Sequence, residues 1–127
     1  MSLPLEKIAR DHLRRQGFEC EFYAPAPIPS RLVTVKQTAR PGSRMFEGRA
    51  MITVQSWATT RGAAEALCQD AVDALVGRGV YERSGGLMAA DQNITGCSPE
   101  NGPYRWDDPD VKDRNRWQAT VAVDYNA

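Results

Sequence analysis

Apolar and polar residues alternate most cleanly near the end of the chain. Trp117, Ala119, Val121, Val123 and Tyr125 interleave there with Gln118, Thr120, Ala122 and Asp124. Successive side chains of a strand point to opposite faces, so this stretch predicts a strand with one buried face. The same period runs through Ala50, Ile52 and Val54 against Met51, Thr53 and Gln55, with Trp57 at its end, and through Val33 and Val35 within residues 32–38. Helical spacing replaces it in two places. Leu5, Ile8, Ala9 and Leu13 predict an amphipathic helix over residues 4–16, opened by Pro4 and stopped by Gly17. Ala64, Leu67, Cys68, Ala71, Val72 and Leu75 make the stripe of a second helix, with Thr59 or Thr60 as N-cap and Gly77 and Gly79 as stop. Weaker extended signals lie at residues 18–23, at 80–82 and at 91–98 around Ile94.

Between these elements the chain is punctuated. Pro25, Pro27 and Pro29 alternate with Ala26 and Ile28, and proline cannot donate to a ladder, so residues 24–30 read as a stiff connector on the surface. Residues 39–47 form an oversized hairpin loop carrying Arg40, Arg44, Met45, Phe46 and Glu47. Ser84, Gly85 and Gly86 form a breaker, and residues 99–113 read as a polar loop. The element order is therefore helix, strand, strand, helix, strand, strand. Two amphipathic helices need an apolar sheet face. The predicted architecture is an α+β two-layer sandwich: a mainly antiparallel four-stranded sheet with both helices on one face. A right-handed crossover would carry the chain from the second strand through the second helix to the third strand.

Composition narrows the function classes. A chain of 127 residues with 42% hydrophobic content supports one domain, residues 1–127, with a single core. Sixteen basic residues balance sixteen acidic ones, which argues against a nonspecific nucleic-acid coat. No apolar run has the length of a membrane span, and the N-terminus lacks the basic-then-apolar pattern of a signal peptide. Cys20, Cys68 and Cys97 are odd in number and widely spaced, which predicts reduced thiols.

Candidate chemistry is sparse. The lone histidine, His12, has no recognisable nucleophile or carboxylate partner in the sequence, and a surface or partly buried helix residue is its simpler reading. Cys68 lies on the apolar stripe and reads as a core side chain. Asp107, Asp108, Asp110 and Asp113 could attract a hard cation. Pro109 interrupts them, however, and Arg105, Lys112, Arg114 and Arg116 interleave, so a charged, salt-bridged loop is expected and no metal or cofactor. The glycine pairs match no phosphate-binding fingerprint, and Asn93–Ile94–Thr95 is a sequon by chance. Trp57 and Trp117 read as anchors of the core or the sheet face. Tyr104 and Trp106, placed in a polar loop among arginines, are the residue types that anchor interfaces.

The pattern resembles the tail terminator (tail completion) proteins of long-tailed bacteriophages, a minor tail protein family. The resemblance covers most of the chain. It lies in the first helix ending at Gly17, the proline-rich connector followed by Arg31–Leu32–Val33–Thr34–Val35, and the arginine-glycine loop. It continues in Ala50–Met51–Ile52–Thr53–Val54–Gln55–Ser56–Trp57, the alanine-rich helix over residues 63–75, and the closing Arg116–Trp117–Gln118–Ala119–Thr120–Val121–Ala122–Val123 after an Asp-Pro loop. The resemblance implies a structural virion protein and no enzyme. It would form a ring, commonly hexameric, that caps the tail tube, meets the head connector or neck proteins, and is assembled in the bacterial host cytoplasm. Neck and head-closure proteins of the same joint share the style, and a small metal-dependent hydrolase using the aspartate loop is the alternative of another class. On the assembly reading the interface residues are Arg40, Arg44 and Phe46 of the first loop, with Tyr104, Arg105, Trp106, Asp107 and Asp108 of the second. The aspartates are expected to pair with the first loop's arginines across a subunit boundary.

Overall fold

A computed structural model describes residues 3–39 and 48–126. Its elements are α1 (Leu5–Arg15), β1 (Cys20–Glu21), β2 (Arg31–Ala39), β3 (Gly48–Ala58), α2 (Arg61–Val76), a 3-10 turn (Gly79–Ser84), α3 (Gly86–Ala90), β4 (Ile94–Arg105) and β5 (Asn115–Tyr125). The strands make one sheet in the order β1-β2-β3-β5-β4. β1 runs parallel to β2 and every other neighbouring pair is antiparallel. The α+β class and the one-sided helix layer agree with the sequence reading. The counts do not, because the sheet is mixed with five strands and the helices number three among the described residues.

Register explains the core. Ala50, Ile52 and Val54 of β3 lie opposite Val123, Val121 and Ala119 of β5, and Val35 of β2 lies opposite Val54. All of these side chains are buried, and they cluster with Leu67, Cys68, Ala71, Val72 and Leu75 of α2 and with Leu5, Ala9 and Leu13 of α1. α2 begins as expected, with the Thr60 hydroxyl accepting from the Ala63 N–H at 3.2 Å. It ends at Gly77 in the left-handed conformation, where the N–H groups of Gly77 and Arg78 both donate to the Asp73 carbonyl. That arrangement leaves the Ala74 carbonyl to a side chain. His12 of α1, buried, reaches it through Nε2 at 3.0 Å, so the ring donates from that nitrogen and ties the two helices together. Burial lowers the His12 pKa below 6.5 despite that bond, and Arg15 pushes the same way. His12 is therefore a buried strut, set deeper than the surface or partly buried helix position expected for it.

Three weak sequence signals resolve differently. Residues 80–82 belong to the 3-10 turn and not to an extended segment. The Ser84–Gly86 breaker opens the short α3. Gly77 and Gly86 cross at backbone distance: a Cβ on Gly86 would lie 2.6 Å from the Leu75 carbonyl oxygen, and one on Gly77 would lie 2.6 Å from the Gly86 nitrogen. The third difference is β4, which continues past Ser98 to Arg105, through register shifts and two prolines. The polar loop therefore shrinks to the turn between Arg105 and Asn115.

Both sheet edges are blunted. On the β2 side, the Val33 N–H donates to the Glu19 carbonyl and the Gln37 N–H to Oε1 of Glu6 at 2.8 Å, so α1 closes part of that edge. Arg14 holds β1 in place by donating to the Cys20 carbonyl at 3.0 Å and to Glu21 at 2.9 Å. On the β4 side, Pro99, Pro103 and the register shifts interrupt the free edge.

Candidate assembly surface

The turn between β4 and β5 brings five of the expected interface residues together. Tyr104 and Arg105 sit on β4 opposite Gln118 and Trp117, so the ladder holds them; they are not loop residues. Gly102, with φ at +84°, makes the approach possible, because a Cβ there would lie 2.6 Å from the Gln118 carbonyl oxygen. Trp106 follows, half exposed at 54%, with its ring edge-on to Tyr104 at 5.9 Å. Its backbone is pinned on both sides: its N–H donates to the Arg116 carbonyl at 2.9 Å, and its carbonyl accepts from Arg116 Nε at 2.6 Å.

The acidic residues are already engaged within the subunit. Asp107 pairs with Arg105 at 2.7 Å and Asp113 with Arg114 at 3.2 Å, while Asp108 lies 3.8 Å from Arg116. Asp108 also accepts from the Asp110 N–H at 2.9 Å, which shapes the turn. Among the described residues no three His, Cys, Asp or Glu side chains gather as metal ligands. Arg40, Arg44 and Phe46 lie outside the described residues, as does the loop expected to meet these aspartates.

Two residues outside the predicted set organise the turn. Arg116 places its guanidinium over the Trp57 ring, 5.1 Å from the centroid, and the indole is buried beneath it. Arg114 donates to the carbonyls of Pro29 at 3.1 Å and Ile28 at 2.9 Å, so the proline-rich connector is fastened to the aspartate turn. A hollow of about 460 Å³ remains between them, lined by Pro25, Pro27, Trp57, Val111 and Lys112. The interleaving of arginines with aspartates signalled local ion pairs, but nothing in the sequence signalled that Arg114 reaches back to residues 28 and 29.

The sheet face away from the helices carries a hydrogen-bonded row that crosses four strands. Thr34 Oγ1 donates to Gln55 Oε1 at 3.4 Å, Gln55 Nε2 to Gln118 Oε1 at 2.8 Å, and Gln118 Nε2 to the Tyr104 hydroxyl at 2.8 Å. Gln55 and Gln118 are directly opposite in the β3–β5 register. The alternation placed both on the polar face; only the register brings them into one row. A cleft on the helix side, about 390 Å³, lies between the segment after α1 and the middle of α2 and is lined by Phe18, Glu19, Arg31, Leu67, Asp70 and Tyr81. Burial, with Asp70 and Asp73, raises the Tyr81 phenol pKa.

No protein-family model matches the chain, and no curated protein sequence matches it. Among the described residues no helix is long and apolar enough to cross a membrane.

Proposed function

We propose that this chain is a structural assembly subunit: a ring-forming tail terminator of a long-tailed phage or prophage, which caps the tail tube and offers a surface to the head connector. The observation that carries the reading is the β4–β5 turn. An exposed tryptophan braced by a tyrosine stands there on a hydrogen-bonded ladder, ringed by charges of both signs. Rigid aromatic anchors inside a charged rim are what a specific protein contact needs. In a cyclic ring each subunit presents one patch to a different patch on the next, so both signs of charge serve one interface. The aspartates act in this reading by holding Arg105 and Arg116 in place, and the exposed aromatic edge makes the contact.

The experiment is end-labelling. Gold-tagged protein is mixed with tails purified from a strain of the encoding phage or prophage that lacks this gene. Gold at one end of the tail tube in electron micrographs, lost with Trp106→Ala, is the expected result. Gold on DNA-filled heads and none on tails would move the chain to head closure, and no binding to either would end the assembly reading.

A further inference from the structure

The geometry points to a saccharide-binding site on the sheet face away from the helices, centred on Gln55 and Gln118 and walled by Tyr23. A concavity of about 400 Å³ lies there, lined by Phe22, Tyr23 and Ala24, by Thr34 and Lys36 of β2, by Thr53 and Gln55 of β3, and by Gln118 of β5. Its floor is built of amide and hydroxyl groups that are already oriented. In the row described above, each glutamine uses one N–H and its carbonyl oxygen within the row. An amide has two N–H donors and two acceptor lone pairs, so each glutamine keeps one donor and one lone pair for a ligand. Two such amides side by side on adjacent strands match a pair of neighbouring hydroxyls, each of which is both donor and acceptor.

The wall supplies the complementary half. The Tyr23 ring is 77% exposed and stands beside that floor, so it is free to lie against the C–H face of a pyranose ring. Phe22 is fixed from behind by Arg10, whose guanidinium lies 4.3 Å from the ring centroid. The far end of the row is anchored by the Tyr104 hydroxyl, which the Trp106 edge contact holds in place. A preorganised polar floor beside one exposed aromatic is a small-molecule arrangement in which orientation comes from few polar groups.

Charge decides between ligand classes. Among the described residues Lys36 is the single charged residue lining the concavity, and it makes no ion pair there. A single-stranded nucleic acid would need several cations along its phosphates, and the chain carries no net charge. One ammonium beside an amide floor suits a sugar unit bearing one carboxylate. The site does not rest on the assembly reading: neither Tyr104 nor Trp106 lines the concavity, and the two surfaces share only the Tyr104 end of the row.

The test is a nuclear magnetic resonance titration of the free protein. The probes are trigalacturonic acid, maltotriose and a ten-residue oligothymidine, each taken to about 10 mM, which reaches affinities weaker than millimolar. Saturable shifts of the Gln55 and Gln118 side-chain amides with trigalacturonic acid, several-fold weaker with maltotriose, are expected. Tyr23→Ala changes a side chain that is mostly in water and should reduce the affinity at least fivefold, and Lys36→Ala should bring the two sugars level. Gln118→Ala should abolish the shift at Gln55, with folding checked by the dispersed methyl signals. Absence of shifts with both sugars, shifts that survive Tyr23→Ala unchanged, or tighter binding of the oligothymidine would each overturn the proposal.

Discussion

Replacing Leu67 or Leu75 by alanine removes the same three carbons from the same helix, yet the two changes should differ in cost. Leu75 is fully buried at 0% exposure, whereas Leu67 at 4% lines the cleft beside Phe18 and Tyr81. The transfer contribution is common to both, about 0.8 kcal/mol for each buried carbon and so roughly 2.4 kcal/mol. The cavity contribution is not. Around Leu75 the emptied space is enclosed by core residues and stays dry, adding about 24 cal/mol for each Å³ that does not collapse. Around Leu67 the emptied space opens into a cleft lined by Glu19, Arg31 and Asp70, and water enters it. Leu67→Ala should therefore cost about 2–3 kcal/mol and Leu75→Ala about 4–5 kcal/mol, within the span seen for such truncations. Urea unfolding at constant slope measures both, and for a chain of this size each kcal/mol lowers Tm by about 4 °C. Equal losses would mean that the cleft does not reach Leu67. An unchanged midpoint for Leu67→Ala would mean that α2 presents a different face to the sheet.

Further outcomes follow from single contacts. His12→Ala leaves the buried Ala74 carbonyl without its donor and should cost about 1–3 kcal/mol. The wild type should also lose stability as pH falls below about 6.5. The folded-state pKa of His12 is depressed, so the unfolded chain takes the proton first and the contribution is complete only above the unfolded value. His12→Ala should lack that component, and a pH profile identical to wild type between about pH 6.5 and 5.5 would contradict the burial argument. Gly86→Ala would drive a Cβ into the Leu75 carbonyl at a positive φ, so its unfolding free energy in urea should fall by more than about 1 kcal/mol. Burial pushes the Cys20 and Cys68 thiols up to about 12 and encloses both, so these two should resist alkylation at pH 8 until urea unfolds the chain, and the half-buried Cys97 should react before them.

Much of this fold was legible in the residue pattern because long elements repeat their signal. Residues 50–57 and 117–125 state the period of two several times over, and α2 states its stripe six times with a cap at each end. β1 has two residues and cannot display a period at all; the Glu19 carbonyl and the Arg14 side chain place it. The second half of β4 was hidden by Pro99, Gly102 and Pro103, residues that mark loops by local chemistry but here sit on an edge strand with an irregular register. Of the expected interface, Tyr104, Arg105, Trp106, Asp107 and Asp108 do come together, because the β4–β5 register brings them together. The glutamine row lay beyond a sequence reading, since it depends on which residues of four strands end up opposite one another.

The assembly claim is tested most directly by complementation. Tails grown without this gene, with purified protein added back, are scored by electron microscopy for tube length and head joining. The account predicts that wild-type protein restores tails of normal length that accept heads, and that Trp106→Ala, folded but lacking the exposed anchor, fails by at least tenfold in joined particles, the equivalent of about 1.4 kcal/mol or more at the contact. Tails that reach normal length and join heads without the protein, or full activity of Trp106→Ala, would contradict it.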